Sequence, residues 1–322
     1  MDLQNSNKAW TVVKKQGIIF ALIIIVLIFS FAAKEFFTAD NIILILRQIS
    51  IVGIMACGMT YVIIGGGNFD LSVGSLLSLT CVLAISLHDT FGPVPAMLIA
   101  VAAGLASGIV SGWLVGYLRL NSMIVTLGMM GILQAVVLIY SGGKYSSLSN
   151  PDATWFSMLG KGSLGGIPVP IIIYAGCIII FEIVLKKTVF GRQLMAVGGN
   201  STACRFTGIN DKKIVMMTFV LSGLMTAVAG VILGARVGAA QSTIGEGYEF
   251  DVITGVILGG TSLLGGSGSV AKTFIGVLIM GVLKNGFVMI GFPYYTQWIA
   301  QWVIIILVVW IDIATKRKKV LV

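Results

Sequence analysis

Long apolar stretches alternate with short polar or glycine- and proline-rich interruptions along nearly the whole chain. The apolar runs fall near 18–33, 42–64, 72–87, 94–118, 122–140, 170–185, 214–235, 249–262, 270–290 and 296–313. Crossing hydrocarbon takes about 20 mostly apolar residues in a helix. The pattern therefore predicts an all-α, polytopic integral membrane protein of about ten transmembrane helices with glycine-interrupted spans. The eighth run is short and glycine-rich, which leaves open whether it crosses completely. The whole chain, 1–322, reads as one transmembrane domain, with an N-terminal segment 1–17, a polar loop 186–213 and a basic tail 314–322.

Composition agrees with a bilayer. The chain is 57% hydrophobic and 10% charged, against about 25% charged in an average soluble domain. Mean hydropathy is +1.02. The first apolar run follows Lys8, Lys14 and Lys15 but lacks a good small-residue cleavage site, so an uncleaved first helix is expected.

The net charge of +9 follows the loops. With both ends cytoplasmic, fifteen of the 21 Lys and Arg fall on the inner side, five on the outer, and Lys284 within a span. That is the positive-inside bias, so the basic excess marks topology and no nucleic-acid partner is expected. The lipid bilayer is the surrounding medium.

Glycine organises the spans. Gly104, Gly108, Gly112 and Gly116 recur every four residues, a small-residue stripe that lets helix backbones approach closely in lipid. Gly230, Gly234 and Gly238 repeat the device.

Several soluble-enzyme chemistries are excluded. Cys57, Cys81, Cys177 and Cys204 show no metal-ligand spacing, and the lone His88 reads as a solvated loop residue. No Ser/His/Asp set or paired catalytic carboxylates occur, so no catalytic residue, metal or bound cofactor is expected. Residues 266–273, beginning Gly266 and ending Lys272 and Thr273, come within one residue of a phosphate loop. They lack its buried strand and βαβ context, and a helix break is the ordinary reading. Glu182 and Lys186 form an i,i+4 pair at a helix end.

The stretch IIGGGNFDLSVGS, 63–75, sets three glycines, Asn68 and Asp70 between two apolar runs. A carboxylate in hydrocarbon costs about 2.5–3.5 kcal/mol or more, so Asp70 must face protein or a watery cavity. The glycines end one helix, and Asp70 or Ser72 caps the next. Gly65, Gly66, Gly74 and Ser75 recur in the spacing of Gly259, Gly260, Gly268 and Ser269, an echo of the repeats and broken helices that mark transporter pathways. Gly66, Asn68, Asp70, Ser72, Glu249, Gly259 and Gly260 are thus candidates for a translocation pathway or helix break.

Three segments carry a family resemblance: GGNFDLSVGS at 66–75, VFGRQLMAVGGNSTACRFTGI at 189–209, and GYEFDVITGVILGGTSLLGGSGS at 247–269. Together they resemble the membrane permeases of ATP-binding-cassette importers for ribose and related monosaccharides. The likeness runs from FFTADNI, at 36–42, to the last span. It implies a non-catalytic permease subunit in a bacterial-type plasma membrane. Such a chain pairs with a second permease, identical or sister. It works with a cytoplasmic cassette that uses ATP and an extracytoplasmic sugar-binding protein. The permease itself binds no ATP. The segment like 189–209 would be the coupling element, implicating Gly191, Arg192, Asn200, Ala203, Arg205, Phe206 and Gly208. Asn200 or Ser201 is expected to cap a short helix there, with Ala203, Cys204 and Phe206 as docking surface. Ser201-Thr202, Val252 to Gly255, Lys272 and Lys284 depart from the family's usual residues, leaving the particular sugar open.

Two other classes compete. An ion-coupled secondary transporter of a small polar solute would use Asp70 as its coupling acid. A non-transporting scaffold or receptor gives the glycine-broken spans no purpose.

Overall fold

A computed structural model of the chain describes residues 18–150 and 155–320. The N-terminal segment 1–17 and its lysines lie outside the described residues. The regular structure of the described chain is helical apart from two pairs of two-residue strands. Six helices are long and apolar enough to cross a membrane: α2 (Ala39–Ile64), α5 (Pro93–Gly116), α6 (Ser122–Ser141), α8 (Val169–Lys187), α11 (Asp211–Val237) and α13 (Val270–Met289). Shorter apolar helices are α1 (Ile18–Ala32), α3 (Val73–Ser86) and the apolar part, Tyr295–Leu307, of α14 (Tyr294–Val320). Each expected apolar run thus finds a helix. The eighth finds only α12 (Tyr248–Leu258), whose 11 residues span about 16 Å, roughly half the hydrocarbon thickness. The basic tail is helical as far as Val320.

The centre is α11, flanked by α5, α2 and α3. The α5 stripe explains the closeness. A Cβ on Gly108 would lie 2.5 Å from the Phe219 carbonyl oxygen, and one on Gly112 or Gly116 would lie 2.6 Å from the carbonyl of Met216 or Lys212. The α11 glycines split in role. Gly230 and Gly234 pack on Thr80 and Ile85 of α3. Gly238 instead ends the helix at φ 72°, a left-handed C-cap, and so departs from the expected stripe.

Depth follows from the contacts along α11. At 1.5 Å per residue, Ser222 lies about 16 Å and Gly234 about 34 Å from Asp211. Asp70 bonds Ser222, and Ile85 meets Gly234. So α3 starts nearly halfway along α11 and runs parallel to it to the far end.

Between α11 and α12 the chain turns back. Ala239–Ala240 pairs with Ser146–Ser147, and Gly245 N–H donates to Ser78 Oγ at 2.9 Å. A Cβ on Gly74 would run into the Glu249 carboxylate and the Gly245 carbonyl. The N-terminal ends of α3 and α12 therefore meet at mid-depth. From there α12 descends antiparallel to α13, with Gly255 against Val277 and Gly259 against Thr273.

The described parts of the polar loop, 141–150 and 155–168, lie at the far end. Its α7 (Phe156–Gly160) tucks Phe156 against His88, ring centroids 5.1 Å apart. His88, at the start of α4 (His88–Phe91), is 6% exposed, so the solvated-loop reading is corrected: Phe156 covers the ring and Asp89 Oδ1 sits 3.0 Å from its Nδ1. Asp89 also accepts from Ser149 N and Oγ, which hold its carboxyl down at about 2.

Candidate functional site

Both glycine breaks and the polar loop 186–213 converge on the end of the bundle opposite the 141–168 loop. The amide of Gly266 donates to the Ile64 carbonyl at 2.8 Å. A Cβ on Gly265 would fall 2.7 Å from Gly66 Cα, one on Gly266 would fall 2.9 Å from Gly199 Cα, and one on Gly198 would run into the Ile64 carbonyl. Main chain touches main chain across three segments, which is why each is glycine at that point. The echo between Gly65-Gly66 and Gly259-Gly260 is real in one respect, since each pair ends a helix, α2 or α12.

The polar loop folds as α9 (Val189–Gly199) and α10 (Ser201–Phe206). Thr188 Oγ1 caps α9 by accepting from Gly191 N at 3.3 Å. Asn200, rather than Ser201, caps α10, its Oδ1 accepting from Ala203 N at 2.9 Å. Gly208 follows at φ +80°. Arg192 is exposed, and Gly191 packs on the backbone of Leu185. Cys204 is buried towards the bundle, so it leaves the expected docking surface. Phe206 is 89% exposed on a polar helix. Arg205 Nε and Arg119 Nη2 both donate to Asp211 Oδ2 at 2.9 Å. Arg119 takes φ 59°, rare for a residue with a side chain. One carboxylate at the foot of α11 thus ties α10 to the α5–α6 turn.

A cavity of about 470 Å³ opens between these parts, lined by Gly66, Asn68, Arg119, Asn200, Ser201 and Asp211 among others. Of the candidate break residues, Gly66 and Asn68 line it. Asp70, Ser72 and Glu249 do not, being buried in the mid-depth layer. Neither Asp70 nor Ser72 caps α3 in the expected way. Ser72 makes no side-chain cap, and Asp70 Oδ1 accepts from Ser72 N at 3.2 Å and Ser72 Oγ at 2.6 Å. Its other oxygen accepts from Ser222 Oγ at 2.9 Å. A capping carboxylate would satisfy α3 alone, whereas this one is shared with α11 because α3 begins beside Ser222. Glu249, 7% exposed, leaves its buried Oε2 without a hydrogen bond. It lies in the first turn of α12, where the helix dipole favours negative charge.

Sequence reading missed the second role of Glu182. Besides pairing with Lys186, it accepts from Ser269 Oγ at 2.9 Å, Val270 N at 2.7 Å and Ala271 N at 3.2 Å. Its carboxylate occupies the N-terminus of α13 that a phosphate loop would offer to a nucleotide. Nothing local marks a pairing across 88 residues. Among the described residues, no group of three or more His, Cys, Asp or Glu could hold a metal ion.

A bundle of long apolar helices, two half-length helices meeting N-terminus to N-terminus, and an amphipathic two-helix loop at one end define a multi-pass membrane permease. The family profile described as "Branched-chain amino acid transport system / permease component" matches residues 41–311, and the chain belongs to that family of permeases. It is 41% identical over 308 residues to the ribose import permease protein of Escherichia coli, covering 95% of each chain. It is 38% identical to the ribose import permease protein of Bacillus subtilis, over 96% of this chain and 94% of that one. The xylose transport system permease protein of Haemophilus influenzae is 34% identical, with 92% and 96% covered. No solved structure matches.

Proposed function

We propose that the chain is the membrane-spanning subunit of an ATP-driven importer that admits a monosaccharide, ribose-like or a related pentose. The observation that carries this is the 41% identity across 95% of the chain to a ribose import permease. The family's description speaks of branched-chain amino acids, but a full-length relative at that identity narrows the substrate more than a profile spanning many permeases.

In this reading the chain sits in a bacterial-type plasma membrane with both termini and the α9–α10 loop in the cytoplasm, as the positive-inside bias supports. ATP is hydrolysed in a separate cassette docked on α9–α10, and the permease binds no cofactor. An extracytoplasmic binding protein delivers sugar to the opposite face, and a second permease chain completes the channel. The residues at the two breaks, Gly66, Asn68, Asp70, Ser72, Glu249, Gly259 and Gly260, run from the mid-depth meeting of α3 and α12 down to the α9–α10 end, and their rearrangement opens the path. An ion-coupled carrier would need Asp70 available to a proton or sodium, and Ser72 and Ser222 already occupy it.

Vesicles reconstituted with this chain, its cassette and its binding protein test the reading. Uptake of D-ribose or another pentose is expected only with ATP on the cassette side and with both partners present. Robust uptake by this chain alone, driven by an ion gradient, contradicts it.

A further inference from the structure

A second cavity, about 630 Å³, lies at the other end of the molecule from α9–α10. Its walls come from α2, the upper end of α11, the returning segment 244–247, α12, α13 and α14. The volume falls within the range of about 300–1,000 Å³ typical of small-molecule sites. It reaches down to the start of α12, the half-length helix whose first turn lies at mid-depth.

The lining has two kinds of surface. The rings of Phe250 and Trp302 lie 4.5 Å apart and tilted by 59°, an apolar corner in the wall. Beside them on the same helices, Asp251 accepts from Lys284 Nζ at 2.6 and 2.5 Å and from Gln301 Nε2 at 2.8 Å. The ammonium, the amide oxygen of Gln301 and the carboxylate retain further hydrogen-bonding capacity. Charge balances across the lining, with Arg236 and Lys284 against Glu246 and Asp251. Lys284 and Asp251 are in direct contact, so the lining carries no net charge that would draw an anion or a cation. Apolar rings next to a dense set of donors and acceptors suit a neutral polyol, whose C–H face packs on the rings while its hydroxyls bond.

We propose that this cavity is where the permease receives its monosaccharide, with Trp302 and Phe250 as the apolar corner and Asp251, Lys284 and Gln301 as the hydroxyl-binding group. The proposal rests on the importer reading and gives it a location. The ion pair also joins α12 to α13, and Gln301 joins both to α14, so a sugar bonding there acts directly on the half-length helix.

The test uses the full importer. Trp302→Ala and Gln301→Ala are expected to lower pentose uptake efficiency about tenfold or more, with the cassette copurifying normally. Trp302→Phe, which keeps a ring, is expected to retain most of it. A second readout is independent of transport. Gln48→Cys, on the cavity wall, is expected to react with an impermeant maleimide from outside the cell. D-ribose, D-xylose or L-arabinose at high millimolar concentration is expected to slow that reaction, and L-leucine to leave it unchanged. No labelling from outside, no slowing by any of these pentoses, or slowing by leucine alone would overturn the site. Sugar protection without ATP-dependent uptake instead contradicts the importer reading and leaves the site standing. Normal uptake without protection removes the site alone.

Discussion

Asp70 and Ser222, 152 residues apart in sequence, share a buried hydrogen bond of 2.9 Å between the start of α3 and the midpoint of α11. The carboxylate also takes both donors of Ser72 and is 2% exposed. An embedded acid is tolerated when its lone pairs are filled in this way.

Asp70→Asn keeps an acceptor and the shape, and its amide can donate to a hydroxyl. It is expected to lower the detergent melting temperature only slightly. Asp70→Leu strands the Ser72 and Ser222 hydroxyls in the interior, at about 1–3 kcal/mol for each unsatisfied group. A clear loss of melting temperature and of uptake should follow. Equal melting of the two variants would show that the bond to α11 is unimportant.

The glycine stripe predicts a sharp contrast between neighbouring spans. A Cβ on Gly108 meets backbone, the Phe219 carbonyl oxygen at 2.5 Å, which cannot swing aside. A Cβ on Gly128 of α6 meets nothing within 4 Å. Gly108→Ala should therefore reduce folded yield or melting temperature markedly, while Gly128→Ala should be silent or slightly stabilising, since Ala favours helix. Equal behaviour in size-exclusion yield would refute the packing of α5 on α11.

The Glu182 carboxylate at the start of α13 predicts a third result. Glu182→Ala should cost about 0.5–2 kcal/mol, the range for a lost helix cap, while Lys186→Ala, removing an exposed partner, should cost about 0–1 kcal/mol. Thermal melts of the two variants compare them directly. A larger effect from Lys186 would mean that the i,i+4 pair, rather than the cap, stabilises this corner.

Much of this architecture was legible in the sequence, because in a membrane the dominant pattern is local. Apolar runs located the helices within a few residues, and the four-residue glycine period identified the face of α5 that meets α11. The fate of each polar group was not legible. Asp70 looked like a helix cap because capping is a local pattern, whereas its second oxygen serves a helix 152 residues away. His88 looked solvated because nothing nearby foretold that Phe156 would fold over it. The cavity near Trp302 draws its walls from five helices and a turn, so no single motif announces it. The half-length of α12 was visible as a short run, but its start at mid-depth depended on Gly245 reaching Ser78.

The central claim is that α9 and α10 carry the drive from an ATP-hydrolysing partner to the two breaks packed behind them. Phe206 is the discriminating residue, since it is 89% exposed while Cys204 is buried and Arg205 is tied to Asp211. Interface energy concentrates in a few such anchors, and Phe206→Ser removes the anchor without changing charge, topology or internal packing. The decisive measurement is copurification of the cassette with Phe206→Ser, alongside its melting temperature and ATP-dependent pentose uptake. The expected result is unchanged melting, with cassette binding and uptake both lost. Wild-type copurification together with wild-type uptake would contradict the claim and place the dock elsewhere.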